Sequence, residues 1–245
     1  MPIKSTSEEY MHLTSTLPSA QLTAGPELWC PELAAFDESD LVAVRQVFQG
    51  VKPCQLLQAW QSDVSPGFAP GTVQVGWWDG CLLVFAELTD ADIFSHATEP
   101  NQRLWELGDA FEIYLRPANE PTYVQFDIAP NNQQLQLRIP SVAALRQAQT
   151  TSEFAELVLP GNMIRSQVWL APEEGKWFVF AAISAKAAFG SASVGGRRWH
   201  FSFSRYDHTR GQLEPVISSI APHARADFHR QQEWGVIHFA PALAR

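Results

Sequence analysis

The dipeptide Asp79-Gly80 constrains this chain more than any other pair of residues. It separates two apolar-rich runs, Thr72–Trp78 and Cys81–Leu88, by the two residues that a tight hairpin connection needs. Such a turn requires φ > 0 at both central positions, which Asp tolerates and Gly adopts without steric cost. The two runs are therefore expected to fold back on each other as antiparallel strands. That pairing sets Val73, Val75 and Trp77 across from Ala86, Val84 and Leu82, so one face of the hairpin is solidly apolar.

The rest of the sequence supplies partners of the same kind. Phe111–Leu115 and Thr122–Ile128 flank the polar loop Arg116–Pro121. With Leu115 paired to Thr122, Phe111 falls opposite Phe126 and Ile113 opposite Val124 on an apolar face. The other face then carries Glu112 against Gln125 and Tyr114 against Tyr123, with Asp127 one diagonal step from Glu112. This second face is expected to lie outside the core as a polar–aromatic surface. Trp199–Asp207 repeats the alternation, with Trp199, Phe201 and Phe203 on one side and His200, Ser202, Ser204 and Tyr206 on the other. Arg205 and Asp207 share the core side near the strand end, which suits a structural Arg–carboxylate pair. Trp177–Ile183 is apolar on both sides and is expected to be a central, doubly covered strand. Gly235–Phe239 closes the series. Leu41–Phe48 is β-branched enough for a strand, with a short helix after Asp40 as the competing assignment. Helix is expected at Val142–Ala148, capped by Ser141, and for one turn at Ser184–Ala188. Many short strands and few short helices predict an all-β fold, an antiparallel β-sandwich. Residues 1–38 are expected to form an irregular leader and 39–245 a single sandwich domain.

Composition and motifs exclude several function classes. With 46% hydrophobic residues among 245, most of the chain can bury a core and is not disordered. No apolar run approaches the roughly 18–20 residues of a membrane helix. A net charge of −9 makes nucleic acid a poor partner, since phosphate binding needs a basic footprint. Cys30, Cys54 and Cys81 have no CxxC spacing, so neither a disulfide framework nor a zinc site is indicated. The histidines fall into no HxH or HExxH pattern, and GxxxxGK[ST], GxSxG and GxGxxG are all missing from the sequence. Met1–Gln21 lacks the apolar stretch of a secretory signal, which places the protein inside the cell if Met1 is its natural start and outside if a leader has been removed.

Five segments in order resemble the family 9 carbohydrate-binding modules and their bacterial relatives: VGWWDGCLLVFAELTDADIF (75–94), LWELGDAFEIYLRP (104–117), YVQFDIAPNNQQLQL (123–137), WHFSFSRYD (199–207) and FHRQQEWGVIHF (228–239). The resemblance implies a β-sandwich of jelly-roll or immunoglobulin-like kind and non-catalytic binding of a carbohydrate. In that family two Trp rings sandwich a terminal sugar, and polar groups on the neighbouring sheet face take its hydroxyls. The first Trp stands in W-E-x-D-x-x-E, to which Trp105, Glu106, Asp109 and Glu112 correspond with one extra residue at Leu107-Gly108. At the place of the second Trp this chain has Val216-Ile217-Ser218-Ser219. Asp127 stands where the family has Arg, and the family's later Gln and Asn fall near Ser202, Ser204 or Tyr206. The ligand-binding set so implied is Trp105, Glu112, Tyr114, Gln125, Asp127, Ser204 and Tyr206, with no catalytic residue, no cofactor and no metal.

Alternatives remain open. Glu112 and Asp127, about 7–8 Å apart at Cβ on a diagonal, fall within the spacing of glycosidase carboxylate pairs. Asp90 and Asp92 could begin a calcium site, as in some family members, or simply stabilise their own turn. A haem-binding sandwich would draw axial ligands from His200, His208, Met163 or a Lys. A protein-interaction module without a small ligand is the last alternative.

Overall fold

The turn at Asp79-Gly80 forms as its sequence requires, with φ of 46° and 72°. A computed structural model of the chain describes residues 25–159, 161, 163–191 and 194–242. The strands flanking the turn, β3 (Gly71–Trp78) and β4 (Cys81–Thr89), pair in the expected register, Val73 with Ala86, Val75 with Val84 and Trp77 with Leu82. Short β2 (Cys54–Gln55) lines the outer edge of β3. On the other side of β4 follow β9 (Lys176–Ser184) and β8 (Ile164–Ala171), giving one sheet in the order β2-β3-β4-β9-β8. β9 is paired on both edges and buried along Trp177–Ile183, as its two-sided apolar sequence predicts.

The facing sheet runs β1-β12-β10-β5-β6-β7, with β11 paired to the end of β10. These strands are β1 (Glu27–Cys30), β5 (Ala110–Pro117), β6 (Tyr123–Ile128), β7 (Gln134–Ile139), β10 (Arg198–Asp207), β11 (Val216–Ser219) and β12 (Gly235–Phe239). Pairing is antiparallel except between β1 and β12. The expected β-sandwich is thus present. Its inner faces meet in one core, with Val75, Val84 and Val179 from one sheet against Phe111, Ile113, Phe126, Phe201 and Phe203 from the other. Cys30, Cys54 and Cys81 are free thiols. No helix among the described residues is long and apolar enough to cross a membrane.

Several elements depart from expectation. Residues 27–30, within the span assigned to the leader, form β1 and extend the sheet, while residues 1–24 lie outside the described residues. The chain enters β12 so close to this strand that a Cβ on Gly235 would stand 2.3 Å from the Pro26 carbonyl oxygen, which only Gly permits there. Of the two assignments for Leu41–Phe48, strand or short helix after Asp40, the helix forms, as α1 (Leu41–Val47). Its cap decides the outcome: Asp40 has extended backbone and its carboxylate accepts from the Val42 N–H at 2.9 Å. Val44 and Phe48 then cover the outer face of the β4–β9 sheet, against Phe85 and Phe178. The expected helices form as α2 (Val142–Gln147), capped by Ser141, and α4 (Ala185–Phe189), capped by Ser184. A further one, α3 (Thr151–Ala155), starts at a Thr150/Glu153 capping box.

The β5–β6 register differs by two residues from the expected one. Phe111 faces Ile128, Ile113 faces Phe126, Glu112 faces Asp127 and Tyr114 faces Gln125. A slide of two keeps every side chain on its own face, so the alternation alone does not distinguish the two pairings. The faces are as expected; the partners are not.

Candidate functional site

The second departure concerns the polar face itself. Glu112, Tyr114, Gln125, Asp127 and Ser204 do point away from the sandwich core, but all are 2% exposed or less. A second apolar layer covers them. It consists of Leu104, α2, α3 and the segment Phe228–Trp234, packed over Tyr114, Tyr123, Leu135 and Leu137. The expectation of an open polar–aromatic surface is therefore corrected: strand alternation determines which side a residue faces, not what the rest of the chain places on top of it.

Beneath this cover the acids pair with no cation among the described residues. Glu112 stands directly opposite Asp127 on one side and Ser204 on the other. The Tyr114 hydroxyl donates to Glu112 Oε2 at 2.8 Å. The Gln125 amide donates to Asp127 Oδ1 and Oδ2 at 3.0 and 3.1 Å and reaches Glu112 Oε1 at 3.4 Å. Loss of water raises the pKa of both carboxyls, and the negative charge of Asp127 adds to the effect on Glu112. Ser204 turns to β11 and donates to Ser219 Oγ at 3.1 Å. Tyr206 is half-buried, edge-on to Phe228 at 5.7 Å.

An opening adjoins this layer at Gln125. A depression of about 270 Å³ is lined by Trp105, Gln125, His229, Phe154 and the polar side chains of Arg103, Glu106, Arg146 and Gln149. A shallower hollow of about 420 Å³ adjoins it over Asn101, Gln102 and Thr151. Trp105 lies on the short 3₁₀ turn Leu104–Glu106 and is half-buried, its ring edge-on to Phe154 at 6.3 Å. Arg103 stacks over the Phe154 ring at 4.6 Å. His208 reinforces the turn through the Trp105 carbonyl oxygen at 3.0 Å. Of the seven residues singled out in the sequence, Trp105 and Gln125 thus line the depression, Glu112, Tyr114, Asp127 and Ser204 form the layer beneath, and Tyr206 lies to one side.

Sequence reading missed His229, Phe154, Arg103 and Arg146. The FHRQQEW segment was the available signal. His229 Nδ1 is 2.9 Å from the Tyr123 hydroxyl, and its removal from water lowers its pKa to about 4, so the ring is neutral at physiological pH. Arg230 and buried His223 both engage Glu233, and the Trp234 indole donates to the Phe228 carbonyl at 2.8 Å, so this stretch is locked as part of the cover.

The other acidic group lies at the far end of β10. Arg205, fully buried, directs Nη2 to Asp90 Oδ2 at 2.9 Å and Asp207 Oδ2 at 3.2 Å, and Nη1 to the Thr89 carbonyl at 2.6 Å. Asp109 completes the group and accepts from the Phe94 and His208 N–H groups. Asp90 also accepts from the Asp92 N–H at 2.8 Å, the turn-stabilising role. Calcium takes six to eight oxygen ligands. Here Asp90 and Asp207 already engage the Arg205 guanidinium, one positive charge among three carboxylates.

No protein-family model and no curated protein matches the sequence. Solved structures do. A candidate carbohydrate-binding protein from Bacteroides uniformis superposes with a TM-score of 0.69 at 17% identity, over 88% of this chain and all of that one. A family 9 carbohydrate-binding module from Caldicellulosiruptor kristjanssonii, solved with cellotriose, gives 0.58 at 14% identity over 89% of this chain and 95% of the module. The same organism's module with glucose gives 0.60 at 14%, over 90% and 98%. The fold is that of the family 9 modules.

Proposed function

We propose that the protein binds carbohydrate without turning it over, at the depression beside Trp105. The observation that carries this reading is the pairing of a half-buried indole with a buried amide. A sugar ring presents C–H bonds on one face, which pack on an aromatic ring, and hydroxyls at its edge, which need fixed polar partners. Trp105 supplies the first and Gln125 the second. The acid layer beneath has a definite role in this reading. Glu112 and Asp127 take the Gln125 amide hydrogens and so fix its plane, leaving Oε1 to accept from a sugar hydroxyl. Arg103, Arg146 and Gln149 donate at the rim. Structures of this fold hold cellotriose and glucose, which supports a neutral saccharide here. As a catalytic pair, Glu112 and Asp127 would have to touch the glycosidic bond, yet both are buried and neither lines the opening, whereas Gln125 does.

Titration with cellotriose and glucose, followed by tryptophan fluorescence, tests the reading. Binding is expected in the range of about 10 µM to 1 mM. Trp105→Ala is expected to weaken it by about 1–3 kcal/mol, the contribution of an aromatic anchor. Because the ring is only half-buried, the stability loss should stay below the roughly 3–5 kcal/mol of a buried Trp→Ala change. A steep fall in melting temperature with unchanged affinity would assign Trp105 to the cover instead, and release of reducing sugar would overturn the non-catalytic reading.

A further inference from the structure

Past the covered region, the outer face of the larger sheet continues as an open strip across β1, β12, β10 and β5. Register sets two cross-strand rows on it. Trp29, His238 and Arg198 stand opposite one another in the first, and Glu27, Val236, His200 and Arg116 in the second. Alternation turns them outward, since their neighbours Leu28, Ile237, Trp199 and Phe201 enter the core. Trp29 is 66% exposed, an unusual state for a large apolar ring. It lies nearly parallel to the His238 ring, 18° off with centroids 6.4 Å apart. At the other end of the rows, Arg197 and Arg198 with Pro117–Glu120 enclose a depression of about 360 Å³.

The strip inverts the sign of the molecule. The whole chain carries −9 with histidines neutral, yet here Arg116, Arg197 and Arg198 outnumber Glu27 and Glu120. Among the described residues, neither Arg197 nor Arg198 has a carboxylate within ion-pair distance, whereas His238 Nε2 lies 3.4 Å from Glu27 Oε2. Arg116 donates to the Glu120 carbonyl at 3.1 Å and leaves its Nε buried without a partner. Desolvation also lowers the Arg116 pKa, a sign that its charge is poorly compensated.

We propose that this strip is a second binding surface, for an acidic oligosaccharide bearing one carboxylate per ring, with Trp29 as the stacking platform and Arg198 and Arg116 as the carboxylate partners. A uronate ring carries both features that the strip matches. Its C–H face packs on an exposed indole, and its equatorial carboxylate extends sideways, across His238 to a guanidinium that takes it in bidentate fashion. The width fits a short oligosaccharide, since the strip spans three strand spacings, about 14–15 Å. Nucleic acid fits less well: a duplex carries one charge per roughly 1.7 Å, far denser than one carboxylate per sugar ring, and three arginines do not match it. The proposal does not rest on the Trp105 site.

Calorimetric titration of the full chain with trigalacturonate, at about 50 and 300 mM salt, is the test. The wild type is expected to bind, with affinity falling as salt rises. Trp29→Ala and Arg198→Gln are each expected to weaken binding about tenfold or more, and Trp105→Ala to leave it in place. Both substituted residues are exposed, so the fold should survive, and two independent variants guard against one failing. Cellotriose binding should be the same in wild type and Trp29→Ala, so the two sites fail separately. The proposal is overturned if the wild type does not bind trigalacturonate, if both strip variants bind it as wild type does, if Trp105→Ala abolishes it, or if oligothymidylate binds as tightly.

Discussion

Glu112→Gln and Asp127→Asn are each expected to raise the melting temperature at pH 8 and to leave it nearly unchanged at pH 4. The two carboxyls face each other across paired strands, sealed from water, with hydrogen bonds from Tyr114 and Gln125 but no cation among the described residues. Burial raises their pKa in the folded protein, to about 8 for Asp127, whereas the unfolded chain ionises near 4. The sign follows directly. A raised folded-state pKa means that the folded protein holds a proton the unfolded chain has released. The associated stability is complete below about pH 4 and is lost as pH rises towards 8. Each pH unit in that window removes up to about 1.4 kcal/mol per group. An amide of the same shape does not titrate, so its advantage grows with pH, to about 2 kcal/mol or more at pH 8. For a chain of this size that is roughly 4–8 °C. Thermal melts of both variants and wild type from pH 4 to 8.5 decide the matter. A deficit of equal size at every pH would show that the groups serve only as hydrogen-bond partners and carry no excess proton.

That pair also shows where sequence stops being informative. The hairpin at Asp79-Gly80 was fully legible, because turn chemistry and alternation are local and agree. The faces of β5, β6 and β10 were legible for the same reason. The pairing of Glu112 with Asp127 was not, since a two-residue slide costs nothing in hydrophobic pattern. Nor was their burial. The cover comes from α2, α3 and Phe228–Trp234, more than a hundred residues from Glu112 in the last case, and nothing local to the strand announces it. Trp105 was found through a family pattern and Gln125 through strand alternation. His229 and Phe154, which complete the depression, belong to the cover and shared its invisibility. Trp29 was overlooked because it falls in a stretch with no sustained period, and only the parallel pairing with β12 brings it beside His238.

Arg205→Met is expected to cost about 3–5 kcal/mol, the penalty for removing one partner of a buried ion pair, and to lower the melting temperature by roughly 6–20 °C. Arg205 lies on β10, opposite Phe111 on β5, and reaches across to Thr89 and Asp90 at the end of β4 in the other sheet, a contact spanning 115 residues. Its guanidinium is the cation of a buried group holding Asp90, Asp109 and Asp207. Even with Arg205 present, desolvation raises Asp109 to about 8 and Asp207 to about 7, and the Asp90 charge adds to both. Without it, the carboxyls must take up protons or remain as uncompensated charge. The loss should therefore be largest near pH 8 and shrink towards pH 5, where protonation substitutes for the missing cation. Arg205→Lys keeps the charge but not the fork that serves Asp90, Asp207 and the Thr89 carbonyl together, so it should recover only part of the stability. With Arg205 as the cation of this group, EDTA is expected to shift the wild-type melting temperature by less than about 2 °C. A larger shift with chelator, or a loss in Arg205→Met that does not depend on pH, would mean that the acidic group is balanced by something other than this arginine.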